Sequence, residues 1–135
     1  MPTLNLKITP LQNPERYAAL GAALTRITAE VLHKKSDVTV VMIDDMPAAR
    51  FMVGGLDATQ TTACLEINIT AGTNTANEKA QFVATAHEAL RDQLGGLSEA
   101  SYVIVRELPA TDWGYSGITQ AQRRSRSLAL HDAVV

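Results

Sequence analysis

Val41-Met42-Ile43-Asp44-Asp45-Met46-Pro47-Ala48 and Val103-Ile104-Val105-Arg106-Glu107-Leu108-Pro109-Ala110 are the two stretches that decide the fold. Each is an apolar run, then charge, then a Met- or Leu-Pro-Ala exit, and they lie 62 residues apart. The match continues through Phe51 against Trp113 and Gly55 against Gly117. Closer to the start, Thr3-Leu4-Asn5-Leu6-Lys7-Ile8-Thr9 resembles Cys64-Leu65-Glu66-Ile67-Asn68-Ile69-Thr70 at a separation of 61. A single residue of length difference between the halves accounts for the change. Self-similarity at a fixed period predicts two like structural units.

Each half carries the same order of signals. Leu4, Leu6 and Ile8 alternate with polar residues, as in a half-buried strand. Asn13-Pro14-Glu15 reads as an N-cap, a proline in the first helical turn and an early acid. Tyr17, Leu20, Leu24, Ile27 and Val31 follow at steps of three and four, one face of a helix. Val38 to Ile43 predicts a second strand, and Phe51 to Gly55 a short strand or hairpin. In the second half Leu65, Ile67 and Ile69 alternate, and Thr75-Ala76-Asn77-Glu78 fits a capping box. Phe82, Val83, Ala86, Leu90 and Leu94 make the apolar stripe, Gly95-Gly96 the stop, and Tyr102 to Val105 the closing strand.

Two β-α-β units imply an α+β, ferredoxin-like subunit. Its four-stranded sheet carries both helices on one face and short hairpin strands at the edges. Each unit is expected to be right-handed. The expected organisation is a single domain with repeats over residues 2–60 and 63–120 and a C-terminal arm over 121–135. That layout leaves one sheet face uncovered. Aromatics are only 4% of the chain, too few to shield it from within, so self-association is expected. The arm, with Leu128-Ala129-Leu130, is expected to pack on a neighbour.

The bulk properties narrow the function classes. A net charge of −2 lacks the broad basic surface that phosphate contacts need, so no nucleic-acid partner is expected. The single Cys64 cannot form an internal disulfide, which fits a reducing compartment. Neither a secretory leader nor an apolar run of membrane-spanning length, ~18 residues, is seen. A soluble, cytoplasmic protein without a membrane partner is the expectation. His33, His87 and His131 are not at metal-ligand spacing, so neither metal nor cofactor is expected. Cys64, at the head of an apolar strand, reads as a core residue rather than a nucleophile.

Pro2 opens the first strand. Met1 is normally trimmed before a small residue, and trimming would leave a secondary amine at the end of an ordered strand. Pro2, an alternating strand, a helix, a second strand and the Phe51-Met52-Val53-Gly54-Gly55 hairpin together resemble the tautomerase superfamily. The plan is that of 4-oxalocrotonate tautomerase. The doubled length resembles the groups typified by macrophage migration inhibitory factor, cis-3-chloroacrylic acid dehalogenase and malonate semialdehyde decarboxylase. The segment Asp112-Trp113-Gly114-Tyr115-Ser116-Gly117 looks like the C-terminal hairpin of the last group. In the long members only the first half carries the catalytic proline. Here the repeat sets Ala63 against Pro2, in keeping with that pattern.

The resemblance implies an enzyme of isomerase type, a homotrimer acting on a small carboxylate. An α-amine titrates at about 7.7–8.0 and a prolyl amine starts higher. Apolar walls or a nearby cation lower that value and leave a free base, which suits keto–enol proton transfer on a small α-keto acid. A nearby carboxylate does the opposite, and a protonated proline suits a hydratase, dehalogenase or decarboxylase. By resemblance Tyr102 is a second catalytic candidate, supplied by a neighbouring subunit. Phe51 becomes an aromatic wall, and Trp113 and Tyr115 a pocket lid. Thr73 and Asn74 lie where amides at a helix start bind a carboxylate, and Lys34 is the candidate cation. The arginines that usually serve the proline are replaced by Gln12 and Val40 in the first half and by Thr73, Asn74 and Thr75 in the second. Their loss leaves a third reading, a trimeric member of the fold without catalysis.

Overall fold

A computed structural model describes the backbone of residues 2–134 and the side-chain surroundings of residues 2–130. Strand β1 (Thr3–Thr9) leads into helix α1 (Pro14–Leu32), strand β2 (Val40–Asp45) and a hairpin of β3 (Met52–Val53) and β4 (Leu56–Asp57). Then β5 (Thr62–Thr70), α2 (Ala76–Leu94), β6 (Tyr102–Leu108) and a hairpin of β7 (Gly114–Tyr115) and β8 (Ile118–Thr119) repeat the order. Helix α3 (Gln120–Val134) ends the described chain, so the expected arm is helical.

The sheet order is β2-β1-β5-β6. Each unit contributes a parallel pair, and the units join through antiparallel β1 and β5. Thr3 faces Asn68 and Thr9 faces Thr62, so the start of β1 lies beside the end of β5. The molecule therefore has two ends. One gathers the starts of β1 and β2 with the exits of β5 and β6; the other gathers the reverse.

Local chemistry sets the helix limits. The Asn13 side chain accepts the Arg16 N–H at 2.9 Å, and Pro14 needs no donor in the first turn. Helix α1 ends where His33 takes a left-handed φ of 59°. Thr75 and Glu78 close the capping box reciprocally at 3.1 and 2.8 Å, and Gly95 ends α2.

Side-chain alternation then builds the core. Leu4, Leu6 and Ile8 point inward with Ala63, Leu65, Ile67 and Ile69. Leu20, Leu24, Ile27 and Val31 of α1 and Phe82, Ala86 and Leu90 of α2 cover that face. Each of the Leu, Ile, Val and Phe side chains among them, fully buried, contributes roughly 1.5–3 kcal/mol.

Three sequence expectations shift. Val83 is 39% exposed, because a helical step of about 100° turns it away from buried Phe82. Val38 lies in a single helical turn, Ser36–Val38, ahead of β2. Cys64 stands on the outer face, since strand alternation turns it away from Ala63 and Leu65 on either side.

The outer face is left open by α1 and α2, which both pack on the other side. It presents Lys7, Glu66 and Arg106 among apolar Val40, Met42 and Tyr102, which are 46%, 49% and 62% exposed. Glu66 and Arg106 pair across it at 3.6 Å. Among the described residues no helix is long and apolar enough to cross a membrane.

Candidate active site

Pro2 is buried at the head of β1, a central strand, and its carbonyl accepts the Val40 N–H at 3.2 Å. That bond ties the first described residue to the neighbouring strand. Met1, whose removal the amine requires, lies outside the described residues.

A cleft of about 70 Å³ opens against Pro2. Pro2, Thr3, Val38 and Val40 line one side, and Trp113, Gly114, Tyr115 and Gln120 the other. The second group arrives from β6, three strands away from β2, so the β7–β8 hairpin reaches roughly 14 Å across the sheet end. Val40 stands where the resemblance calls for an arginine, and it gives the cleft an apolar wall instead. All eight lining residues are uncharged side chains.

The hairpin is built to hold that position. Ser116 and Gly117 have φ of 54° and 76°, so both central residues of its two-residue turn are left-handed. Such turns match the natural twist of the flanking strands. A side chain on Gly114 would overlap the Ile118 carbonyl across the hairpin. Thr119 and Gln122 then exchange two hydrogen bonds of 3.0 Å, a capping box that starts α3. The Gln120 N–H donates to the Trp113 carbonyl, and the Ala121 N–H to Ala110, both at 2.9 Å. These bonds fix the first turn of α3 against the hairpin.

Arg123 completes the corner. Its guanidinium lies 3.7 Å from the centre of the Tyr115 ring and donates to the Tyr115 carbonyl at 2.9 Å. The charge thus stands behind the aromatic wall of the cleft. Three buried donors here have no hydrogen-bond partner among the described residues: Trp113 Nε1, Gln120 Nε2 and Arg123 Nε.

The other sequence candidates fall into two groups. Lys34, Thr73 and Asn74 meet at the Pro2 end on the helix side. Lys34 Nζ donates to Thr73 Oγ1 at 2.8 Å, and Asn74 Nδ2 donates to the Leu32 carbonyl at 3.0 Å. Burial lowers the Lys34 pKa, and the Glu78 charge partly opposes that. Glu78 itself is held below its usual range, chiefly by the Thr75 N–H of the capping box. His33 approaches Glu78 at 3.2 Å. None of these side chains lines the Pro2 cleft.

Tyr102 and Phe51 lie elsewhere in the same chain. Pro2 is level with Glu107 across the sheet, and Tyr102 is five residues further along β6. That distance is about 17 Å along the strand, with two strand spacings besides. Phe51 follows β2, whose exit is at the opposite end of the sheet. Within one subunit neither reaches Pro2. Gln12 is likewise remote, its N–H donating to Asp45 at 2.6 Å. Cys64 sits on the outer face, where burial and Glu66 raise its pKa and keep the thiol protonated.

Gln120 was not visible in the sequence as a site residue. It has no counterpart signal in the first half, and only the hairpin's crossing brings it to Pro2. Arg123 is one of five basic residues, with Lys34, Lys35, Arg50 and Arg106, that could stand in for the missing arginines, and the sequence favours Lys34 over it.

The family model described as "Tautomerase enzyme" matches residues 2–59 and again 64–125. Among curated protein sequences no relative matches the chain. A wild-type fused 4-OT solved as a symmetric trimer is similar in structure at a TM-score of 0.81. It is 23% identical over 90% of this chain and 98% of that one. A member of the cis-3-chloroacrylic acid dehalogenase family superposes at 0.79, with 21% identity over 94% of this chain and 90% of that one. A macrophage migration inhibitory factor-like protein from Entamoeba histolytica superposes at 0.74, with 16% identity over 87% and 97%.

Proposed function

The chain belongs to the tautomerase family, and on that premise we propose that it moves a proton between carbon and oxygen of a small 2-oxo acid. The Pro2 nitrogen, freed by removal of Met1, is the general base. The observation that carries this reading is the uncharged lining of the Pro2 cleft. A carboxylate beside the amine would hold it protonated and favour hydration, dehalogenation or decarboxylation. Apolar walls favour the neutral amine, and the Arg123 charge behind Tyr115 acts in the same direction. A neutral secondary amine takes the proton from the carbon beside the carbonyl and delivers it to the carbonyl oxygen to give the enol, and ketonisation runs the same transfer in reverse.

The active assembly in this reading is a homotrimer. Related fused 4-OT structures are trimers, and the uncovered sheet face here carries Val40, Met42 and Tyr102. In such an assembly Tyr102 and Phe51 would come to the cleft from neighbours, since neither reaches it at home.

The test is ketonisation of the phenylpyruvate enol by protein whose intact mass lacks Met1. Pro2→Ala should lose about 10²–10⁴-fold in kcat/KM, the usual share of a general base. Titration of the 15N-labelled prolyl nitrogen should give a midpoint below about 8, the ordinary α-amine value. A midpoint well above it, or full activity in Pro2→Ala, would defeat the proposal.

A further inference from the structure

We infer that Trp113 Nε1 and Gln120 Nε2 form a neutral clamp that binds the carboxylate of the substrate, with Arg123 supplying positive charge from behind. The inference rests on the reading of Pro2 as the reacting amine.

Three facts converge on it. The indole N–H and the carboxamide NH₂ are both buried, and neither has a partner among the described residues. Both residues line the cleft that Pro2 lines. The Gln120 N–H to Trp113 carbonyl bond fixes their backbones together, so the two side chains are presented as a unit. Leaving one buried donor unmade costs at least as much as a whole hydrogen bond contributes, and here two belong to residues that line one small cleft. Such a pair is expected where a ligand supplies the acceptors.

The chemistry of the donors defines the ligand. An indole N–H and an amide NH₂ give hydrogens only, so the complementary group is an oxygen acceptor. The guanidinium of Arg123 lies 3.7 Å from the Tyr115 ring centre, on the aromatic wall of the same cleft. Its charge is held by the ring and by the Tyr115 carbonyl, and its Nε has no partner among the described residues. A cation in that place favours an anionic oxygen over a neutral one. A carboxylate offers two coplanar acceptors to two donors. About 70 Å³ accommodates that group and the adjoining carbonyl carbon, and the rest of the substrate projects to solvent. The clamp thereby does what arginines do in the patterns this chain resembles, with neutral donors near the ligand and the charge one ring away.

Trp113 is the chain's only tryptophan, so its fluorescence reports the site directly. Phenylacetate, which has a carboxylate and no 2-oxo group, should quench or shift that emission saturably, and its methyl ester should not. Gln120→Leu should weaken the phenylacetate titration about tenfold or more, as loss of a bond to a charged group does. Gln120→Glu, which sets a carboxylate against a carboxylate, should weaken it further. In turnover, Gln120→Leu and Trp113→Phe should raise KM for the phenylpyruvate enol more than kcat falls, and by a larger factor than for its methyl ester. Thermal melts close to wild type establish that the hairpin is in place. Gln120→Leu with unchanged phenylacetate affinity overturns the clamp, as does an equal loss for acid and ester. Binding is also measured with Pro2→Ala. A Pro2→Ala protein that still catalyses defeats the general-base reading, while a clamp that still separates acid from ester in binding survives it.

Discussion

Asp45 shows what one carboxylate can do in this chain. It accepts the Tyr17 hydroxyl at 2.5 Å and the Gln12 N–H at 2.6 Å, tying helix α1 to the end of β2. The Tyr17 bond, then the Gln12 bond, holds its pKa below the usual value, and the same bond raises that of Tyr17. The contribution of the pair is thus full above the ordinary carboxylate value of about 3.9. It is lost as pH falls through the lower folded value, when Asp45 protonates. At the alkaline end it holds below about 10 and is lost as pH rises through the raised value of Tyr17. Tyr17→Phe should therefore melt below wild type at pH 7. The gap should narrow as pH falls below the ordinary carboxylate value of about 3.9, and a gap that stays constant with pH would assign the effect to packing instead. The Asp45–Tyr17 pair was not legible in the sequence, because 28 residues separate partners that only the α1 crossover brings together.

Among the elements, the β7–β8 hairpin decides whether the cleft exists. Gly114 has no room for a side chain against the Ile118 carbonyl. Gly114→Ala should unseat the hairpin from Pro2. Catalytic efficiency should fall at least tenfold while the melting temperature drops only a few degrees, because no side chain of the main core is touched. A melt that collapses in step with activity would show instead that the hairpin belongs to the folding unit. Elements of this kind divide into legible and illegible features. Asn13, Thr75 with Glu78, and Gly95 were readable because a cap is a contact within three or four residues. The pairing of Gly54-Gly55 with Ser116-Gly117 was readable from the repeat. The seating of Gln120 and Arg123 was not, because it depends on where a hairpin lands after crossing the sheet.

At the scale of the whole molecule, the period-two and helical patterns predicted the four strands, the two helices and the bare face. Burial of Phe82 and Leu65 followed directly from those patterns. Whether the bare face closes on other copies lies outside what one chain's pattern fixes. Met42 stands in the middle of β2 on that face, half exposed and outside the Pro2 cleft. If the proposed trimer closes through that face, Met42→Lys should leave the subunit folded by circular dichroism and reduce the sedimenting mass from three chains to one. If the mass stays at three chains, the contact face lies elsewhere.

The match of Ala63 with Pro2 has a consequence for counting. The two ends of the sheet are alike in outline, down to a left-handed hairpin turn at each. At one end, though, the chain runs straight through Thr62 into Ala63, so the nitrogen there is an amide and carries no titratable proton. On the proposed reading of Pro2 a subunit therefore owns one reactive amine, and the proposed assembly of three would own three rather than six. The covalent join between the halves has fixed the stoichiometry, and has freed the second end to change its sequence without cost to the first.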